Sequence, residues 1–208
     1  KAMVEAALEI NHWCAGEVMY QGTDMRTGSA LEIYRSGVGR CGEEAVFVVN
    51  VMRSAGIPAR PVYVPRWSHC DDNHAWVEVW CDGDWHYLGA CEPEAVLDKG
   101  WFTNAASRAM MIGSRWYDRA MPDEKVIGKD GMNRIINLLG KYAKTRWITI
   151  TVEDLDGTPA AGAKVRAEVM NYGEFSPIAI MEADKNGCIS FETGFGSLLI
   201  CAVYDGAY

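Results

Sequence analysis

A cysteine and a histidine in this chain are placed so that they could form an activated nucleophile. Cys41 lies within residues 38–45, where an apolar, helix-like stretch begins, and His74 opens an alternating run further along the chain. A thiol at a helix N-terminus faces unpaired backbone N–H groups and the positive end of the helix dipole, which favour the thiolate. A histidine within reach would act as the base. The pair therefore predicts nucleophilic catalysis.

Hydrophobic spacing predicts the elements that must hold this pair. A helix is expected over residues 41–55, because Gly56 can cap its C-terminus and Pro58 prevents its continuation. The period then changes to two, which predicts three strands with a hairpin turn between the last two. These strands are expected at residues 60–64, 75–80 and 85–88. Because the last two are antiparallel, the residues after Leu88 return to the end of the sheet where His74 lies.

Four ordered motifs resemble the transglutaminase-like (papain-type) superfamily core, nearest the branch that includes peptide:N-glycanase and many bacterial members. The motifs are Gly39-Arg40-Cys41-Gly42-Glu43, Arg53-x-x-Gly56-Ile57-Pro58-Ala59-Arg60, His74-Ala75-Trp76-Val77-Glu78-Val79 and a strand led by Trp85. The resemblance implies an α+β papain-like fold, in which the helix bearing the cysteine packs on an antiparallel sheet. It also implies that Cys41 is the nucleophile and His74 the base.

The chain departs from that family at the third catalytic position. Family members usually carry Asp four residues after the Trp of the third strand, and Gly89 stands there in this sequence. Glycine cannot orient an imidazole, and the nearest carboxylate is Glu92. Three residues along an ideal strand would put Glu92 on the opposite face, so a turn or bulge is required just there. Glu92 is therefore a candidate orienting residue, and a solvent-facing carboxylate is the alternative.

The remainder of the first domain has weaker signals. Residues 29–32 have the capping-box pattern that starts a short helix. Glu43 and Glu44 are interpreted as acids that complement the helix dipole rather than as catalysts. Trp76, Trp80 and Trp85 are expected in the core of the sheet rather than as a platform for substrate. A turn is expected at residues 121–123 and a helix over residues 133–142.

From about residue 146 the sequence changes to short strands separated by turns, which indicates a small all-β sandwich. Residues 148–204 resemble a carboxypeptidase-regulatory-like or related immunoglobulin-like module, which could be truncated here. We therefore expect two domains, a catalytic core with a connecting segment over residues 1–145 and the sandwich over residues 146–208. Such modules are often appended to extracytoplasmic bacterial proteins, which favours a secreted or periplasmic location for a longer protein of this kind.

Composition limits the partners. The chain has 208 residues, with 28 acidic and 20 basic side chains and a net charge of −8, so a nucleic-acid partner is not expected. No apolar run is long enough for membrane insertion. The cysteines lack zinc-site spacing, and we expect neither a metal nor an organic cofactor. The sequence leaves open whether Cys81 and Cys91 form a disulfide, and it leaves the oligomeric state open as well.

These observations predict cysteine-dependent acyl transfer on a peptide, protein or other amide. His74 would take the proton of Cys41, and the thioester would pass to water, as in a peptidase or amidase, or to an amine, as in a transglutaminase. The alternative is a binding or scaffold module that keeps the fold, with Gly89 marking loss of the third catalytic residue.

Overall fold

The structure is a computed structural model that describes residues 2–24, 26–117 and 125–205. The turn expected at residues 121–123 lies outside these residues. The chain divides into two compact units. Unit 1 contains the described residues within 1–63 and 74–103, and unit 2 contains those within 64–73 and 104–208. The domain division expected after residue 145 stays a prediction.

Unit 1 consists of three helices, a pair of two-residue strands and three longer strands. In chain order these elements are α1 (Met3–Glu17), β1 (Met19–Tyr20), α2 (Ala30–Ser36), β2 (Val38–Gly39), α3 (Cys41–Ser54), β3 (Ala59–Val64), β4 (His74–Cys81) and β5 (Asp84–Leu88). The longer strands lie in the order β5-β4-β3, and β4 and β5 are antiparallel with Val77 opposite Leu88. The predicted helix, its three following strands and the hairpin are confirmed.

The core of unit 1 lies between α3 and the sheet. Buried apolar side chains of α3 join those of β4 in one cluster, and α1 contributes Ala7 and Cys14. The cluster includes Ala45, Val48, Val49, Met52, Val77 and Val79. Because α3 is apolar over most of its circumference, it can bury one face against the sheet and another against neighbouring helices. This packing fixes the start of α3, where Cys41 lies.

A buried ion pair links two neighbouring strands of this sheet. Arg60 Nε of β3 lies 2.6 Å from Glu78 Oε2 of β4, and both side chains are at most 2% exposed. The Arg60 guanidinium also lies 4.2 Å from the centroid of the Trp85 ring. Trp76 is fully buried, as expected from the sequence. The same expectation is wrong for Trp80, which is 37% exposed, and Trp85 is half-buried.

Unit 2 is mostly strands. Its elements follow α4 (Thr103–Ala106) and are β6 (Gly113–Tyr117), β7 (Val126–Asp130), β8 (Asn133–Asn137), a 3-10 turn (Leu139–Lys141), β9 (Arg146–Thr151), β10 (Lys164–Asn171), β11 (Glu174–Glu182), β12 (Cys188–Thr193) and β13 (Leu199–Val203). The sheets run in the orders β6-β8-β7, β12-β9 and β11-β10-β13. One apolar cluster takes side chains from both of the last two sheets, including Val165, Val169, Ile189 and Phe191.

The prediction of a helix over residues 133–142 is wrong. Asn133–Asn137 is a strand that pairs antiparallel with Gly113–Tyr117 on one side and with β7 on the other. The adjacent Ile135 and Ile136 are β-branched and fit a paired strand better than a helix. A single turn of 3-10 helix then follows at Leu139–Lys141.

The cysteines carry no cross-link. All seven are free thiols, which resolves the question left open for Cys81 and Cys91. Within the described residues, no helix combines the length and the apolarity needed to cross a membrane.

Candidate active site

Cys41 is the first residue of α3 and is half-buried. The backbone N–H groups of Ala75 and Gly42 face its sulfur. Burial raises the pKa of the Cys41 thiol, these N–H groups lower it, and the nearby Glu44 carboxylate adds to the rise, so that the net direction is upward. The helix start alone therefore does not stabilise the thiolate, and a base is needed to remove the proton.

His74 is the first residue of β4 and directly precedes Ala75, whose N–H faces the Cys41 sulfur. The chain thus brings the nucleophile and the base predicted from the sequence to the same end of β4. The imidazole is 5% exposed and lies among aromatic rings. Its ring centroid is 4.6 Å from that of Trp101 and 5.0 Å from that of Phe102. These rings limit the orientations that His74 can adopt.

Glu92 follows a tight turn that brings it back over Gly89. Its N–H donates to the carbonyl of Gly89 at 3.1 Å, and Cys91 adopts a left-handed backbone with φ +57°. A Cβ added to Gly89 would lie 2.3 Å from Glu92 Oε2. The carboxyl group of Glu92 therefore fills the space into which a side chain at position 89 would project. The turn that the sequence required at this point is confirmed.

Trp101 connects Glu92 with His74. Its indole Nε1–H donates to Glu92 Oε1 at 3.0 Å, while its ring packs against the imidazole. Burial raises the pKa of Glu92, and the hydrogen bond from Trp101 partly offsets that rise. The sequence analysis did not identify Trp101, because its spacing from the histidine strand gives no sign of this contact.

Asn11 holds the turn that carries Glu92. This residue of α1 is 1% exposed, and its Nδ2 donates to the Gly89 carbonyl at 2.9 Å. Its Oδ1 accepts from the Cys91 N–H at 3.1 Å. One carboxamide thus satisfies two backbone groups of the turn, which fixes the turn relative to α1. The sequence analysis missed Asn11, since an isolated asparagine in an amphipathic helix has no motif.

The two acids in the first turn of α3 have different environments. Burial alone would raise the pKa of Glu43, but hydrogen bonds from the Thr23 hydroxyl and from the N–H groups of Gly28 and Arg40 outweigh it, and the pKa is lowered. Glu43 therefore connects Thr23 and Gly28 to the helix start. Burial raises the pKa of Glu44 to about 8, with a further contribution from the Glu92 charge. Only Glu43 fits the structural role expected for both.

The described side chains offer no evident metal centre. In residues 2–24, 26–117 and 125–205, no three His, Cys, Asp or Glu side chains are grouped so that they could hold a metal ion. A cavity of about 1200 Å³ lies in unit 2, with His69, Arg108 and Phe195 among its lining residues. None of the site residues predicted from the sequence lines it, so the volume of that cavity is no guide to the chemistry of Cys41.

Comparison with known proteins agrees with this geometry. Residues 1–90 match the transglutaminase-like superfamily. This match includes α3 with Cys41 and the two strands β4 and β5, and it links this part of the chain with cysteine-dependent catalysis in general. The peptide:N-glycanase branch and the β-sandwich module over residues 146–208 stay predictions.

A solved structure of a candidate cysteine protease from Cytophaga hutchinsonii is also similar to this chain. It shares 19% sequence identity with a TM-score of 0.38, and the match covers 63% of this chain and 51% of that one. The chain thus spans about half the length of that protein. A search among curated proteins finds no match.

Proposed function

We propose that unit 1 catalyses cysteine-dependent acyl transfer on an amide, with Cys41 as nucleophile and His74 as base. The observation that carries this proposal is the meeting of the start of α3 with the start of β4, where the N–H of Ala75 faces the Cys41 sulfur. The match of residues 1–90 to the transglutaminase-like superfamily supports it. Peptides or proteins are the substrate class that follows.

In this mechanism His74 takes the thiol proton, and the Cys41 sulfur attacks the amide carbonyl carbon. The N–H of Cys41 at the helix start donates to the developing oxyanion. The C–N bond then breaks as His74 returns the proton to the leaving amine, and a thioester forms. Water then loses a proton to His74 and attacks the thioester carbonyl, and the C–S bond breaks to give the free acid and, with the proton returned by His74, the Cys41 thiol. This is a peptidase or amidase reaction. Transfer to an amine would use the same thioester.

Glu92 acts in this scheme as a positioning residue for His74, through Trp101. Its carboxyl occupies the space of the absent side chain at Gly89, and its hydrogen bond to the indole fixes the ring that packs on the imidazole. Loss of Glu92 should lower turnover, because the orientation of the imidazole is then less defined. Glu92→Gln is expected to lower turnover more than Asp84→Asn, since Asp84 is exposed at the hairpin.

The proposal is tested by the reactivity of the thiols. Iodoacetamide at pH 7 followed by peptide mapping should modify Cys41 faster than Cys70, although Cys70 is exposed and Cys41 is half-buried. His74→Gln should remove this advantage. His86→Gln is the matched control, because His86 lies in the neighbouring strand β5 and pairs with Asp98 at 2.6 Å. Equal rates of modification at Cys41 and Cys70 in the unmodified chain would refute the proposed enzymatic function. The binding or scaffold function would then remain.

We further propose that residues 146–208 form a carboxypeptidase-regulatory-like sandwich appended to a catalytic core over residues 1–145, in a protein that acts outside the cytoplasm. The shared apolar cluster of the β9 and β10 sheets supports the sandwich. A separately expressed fragment 146–208 that gives dispersed amide signals in an NMR spectrum would support this division. An unfolded fragment would argue against it.

A further inference from the structure

A small acidic cavity lies beside the start of α3. Its volume is about 350 Å³, at the small end of the range for ligand pockets. Three carboxyl groups line it, from the end of α1, from α3 and from the turn after β5: Glu17, Glu44 and Glu92. The other lining residues are small, apolar or backbone-exposing, and none of them is basic. We call this space the acidic cavity.

Glu44 is the residue of the acidic cavity that indicates a ligand. It is 4% exposed, and among the described residues neither a hydrogen-bond donor nor a basic group contacts its carboxyl. Glu92 Oε2 is also buried without a hydrogen-bond partner in the described part of the chain. Buried carboxyl groups are normally hydrogen-bonded or ion-paired, because an unpaired one loses its hydration without compensation. The Glu44 carboxyl, together with the unpaired Oε2 of Glu92, therefore calls for a donor that the described residues do not supply.

We propose that the acidic cavity binds an alkylammonium group, so that the amide substrate of unit 1 carries a primary ammonium close to the bond that reacts. This inference rests on the proposed function. An ammonium has three N–H donors and can therefore serve the three carboxyl groups together. Its positive charge compensates theirs, which a neutral donor of the same size would not do. A lysine-like side chain has the length and the width for a cavity of this volume.

Occupation of the acidic cavity would also assist Cys41. Glu44 lies three residues after Cys41 and therefore on the same face of α3, and its charge raises the pKa of the Cys41 thiol. Above a pH of about 8, where Glu44 is ionised in the empty cavity, a bound ammonium would compensate that charge and so make the thiolate easier to form. The substrate would thus help to activate the nucleophile that attacks it.

The pH dependence of binding follows from the groups that face Glu44. These are Cys41 on its own helix and Cys91 and Glu92 on the turn after β5, with Glu17 across the acidic cavity. Burial, with the charge of Glu92, raises the pKa of Glu44 to about 8, so that the empty cavity holds a proton at neutral pH. An ammonium requires the ionised form, and binding should therefore release a proton. The affinity should increase by up to about tenfold for each unit by which the pH rises toward 8.

The test is titration of the full chain with n-butylammonium, followed by NMR at pH 6 and pH 8. Shifts should appear at the amides of Val18, Tyr20 and Gly37, which line the acidic cavity, and binding should be tighter at pH 8. The neutral isostere n-butanol should bind at least tenfold more weakly. Equal binding of the two compounds, or no shift at these amides with tens of millimolar n-butylammonium, would overturn the proposal.

Two variants separate the acidic cavity from general charge effects. Glu44→Gln keeps the size of the side chain and should weaken binding about 10- to 100-fold, the range for a charge-assisted hydrogen bond, and it should reduce the pH dependence. Glu5→Gln is the control, since Glu5 is exposed on α1, and it should bind like the unmodified chain. Should Glu44→Gln fail to fold, Glu17→Gln must weaken binding instead, and unchanged binding would overturn the proposal.

The two proposals can fail separately. Binding of n-butylammonium does not involve the Cys41 sulfur, so it can be measured whether or not the thiol reacts. A reactive Cys41 with no ammonium binding would remove this inference alone. Ammonium binding with an unreactive Cys41 would remove the proposed function and leave a cation-binding cavity.

Discussion

The carboxyl group of Glu92 occupies the side-chain space of Gly89. A Cβ on Gly89 would lie 2.3 Å from Glu92 Oε2 and 2.9 Å from Glu92 Cβ, distances at which atoms overlap. The turn that brings Glu92 back therefore requires glycine at position 89, because any larger residue there would displace the Glu92 side chain. The absence of aspartate at position 89 and the position of the Glu92 carboxyl group therefore depend on each other.

Placing aspartate at position 89 should therefore destabilise the folded chain rather than restore the third catalytic residue. Gly89→Asp is expected to lower the free energy of unfolding by about 1–3 kcal/mol, the usual range for overpacking, as measured by urea denaturation. Adding Glu92→Ala should recover most of that loss, because the small side chain leaves room for the new carboxylate. A Gly89→Asp variant as stable as the unmodified chain would mean that Glu92 is not held over the turn.

Asn11 is expected to contribute strongly to the stability of the folded chain. Asn11→Ala removes two hydrogen bonds to the turn and leaves backbone groups of Gly89 and Cys91 without these partners, at an expected cost of about 2–4 kcal/mol of unfolding free energy. Urea denaturation measures this cost, and hydrogen exchange at the Cys91 amide should become faster.

The matched control for Asn11 is Asn50→Ala. Asn50 is an exposed asparagine of α3 whose Nδ2 donates to the Val46 carbonyl at 2.8 Å. Because this bond is local and solvated, its loss should change the unfolding free energy by less than about 0.5 kcal/mol. Similar losses for the two variants would mean that Asn11 does not hold the turn.

Local sequence patterns predict the elements of the site better than its contacts. The start of α3 and the strand that begins with His74 follow from hydrophobic period and helix-capping residues, and the need for a turn before Glu92 follows from strand geometry. The bonds from Asn11 and Trp101 depend on how α1 and the loop after Glu92 pack against the sheet. No periodicity encodes such packing. The strand at Asn133–Asn137 differs from the helix expected there, although one of its partners, β7, is separated from it by only two residues.

Trp101→Phe should change the ionisation of Glu92 while keeping an aromatic ring against His74. The indole hydrogen bond lowers the pKa of the buried Glu92 carboxyl, so its loss should raise that pKa further. If turnover needs ionised Glu92, the acidic limb of the pH–activity profile should move to higher pH. NMR titration of carbon-13-labelled glutamate measures the pKa directly. Trp147→Phe in unit 2, where Trp147 is 60% exposed, should leave it unchanged.

Glu44 should make the stability of the chain depend on pH. Burial raises its pKa to about 8 in the folded state, above the ordinary value of 4.5 that applies when the chain unfolds. Between these values the folded state keeps a proton that the unfolded state releases. Stability should therefore fall as pH rises through this window, by at most about 1.4 kcal/mol per pH unit from this group, and stay level above pH 8.

Glu44→Gln should remove this decline. Urea denaturation at pH 5, 6.5 and 8 should show that the unfolding free energy of the variant increases relative to that of the unmodified chain as pH rises, because glutamine does not ionise. The exposed Glu5→Gln should follow the unmodified chain. A constant difference between Glu44→Gln and the unmodified chain across these three pH values would contradict the assigned ionisation.

The buried pair of Arg60 and Glu78 should dominate the stability of the sheet that holds His74. Glu78 lies four residues after His74 on the same strand, and therefore on the same face as the imidazole. Arg60→Ala is expected to cost about 3–5 kcal/mol of unfolding free energy, because it leaves the Glu78 carboxylate buried without its nearest cation. Arg60→Met combined with Glu78→Leu should cost less than Arg60→Ala alone, since both charges are then removed from the interior. If the double variant is less stable than Arg60→Ala, the attraction between the two charges exceeds the cost of burying them. The ion pair would then stabilise the sheet on balance.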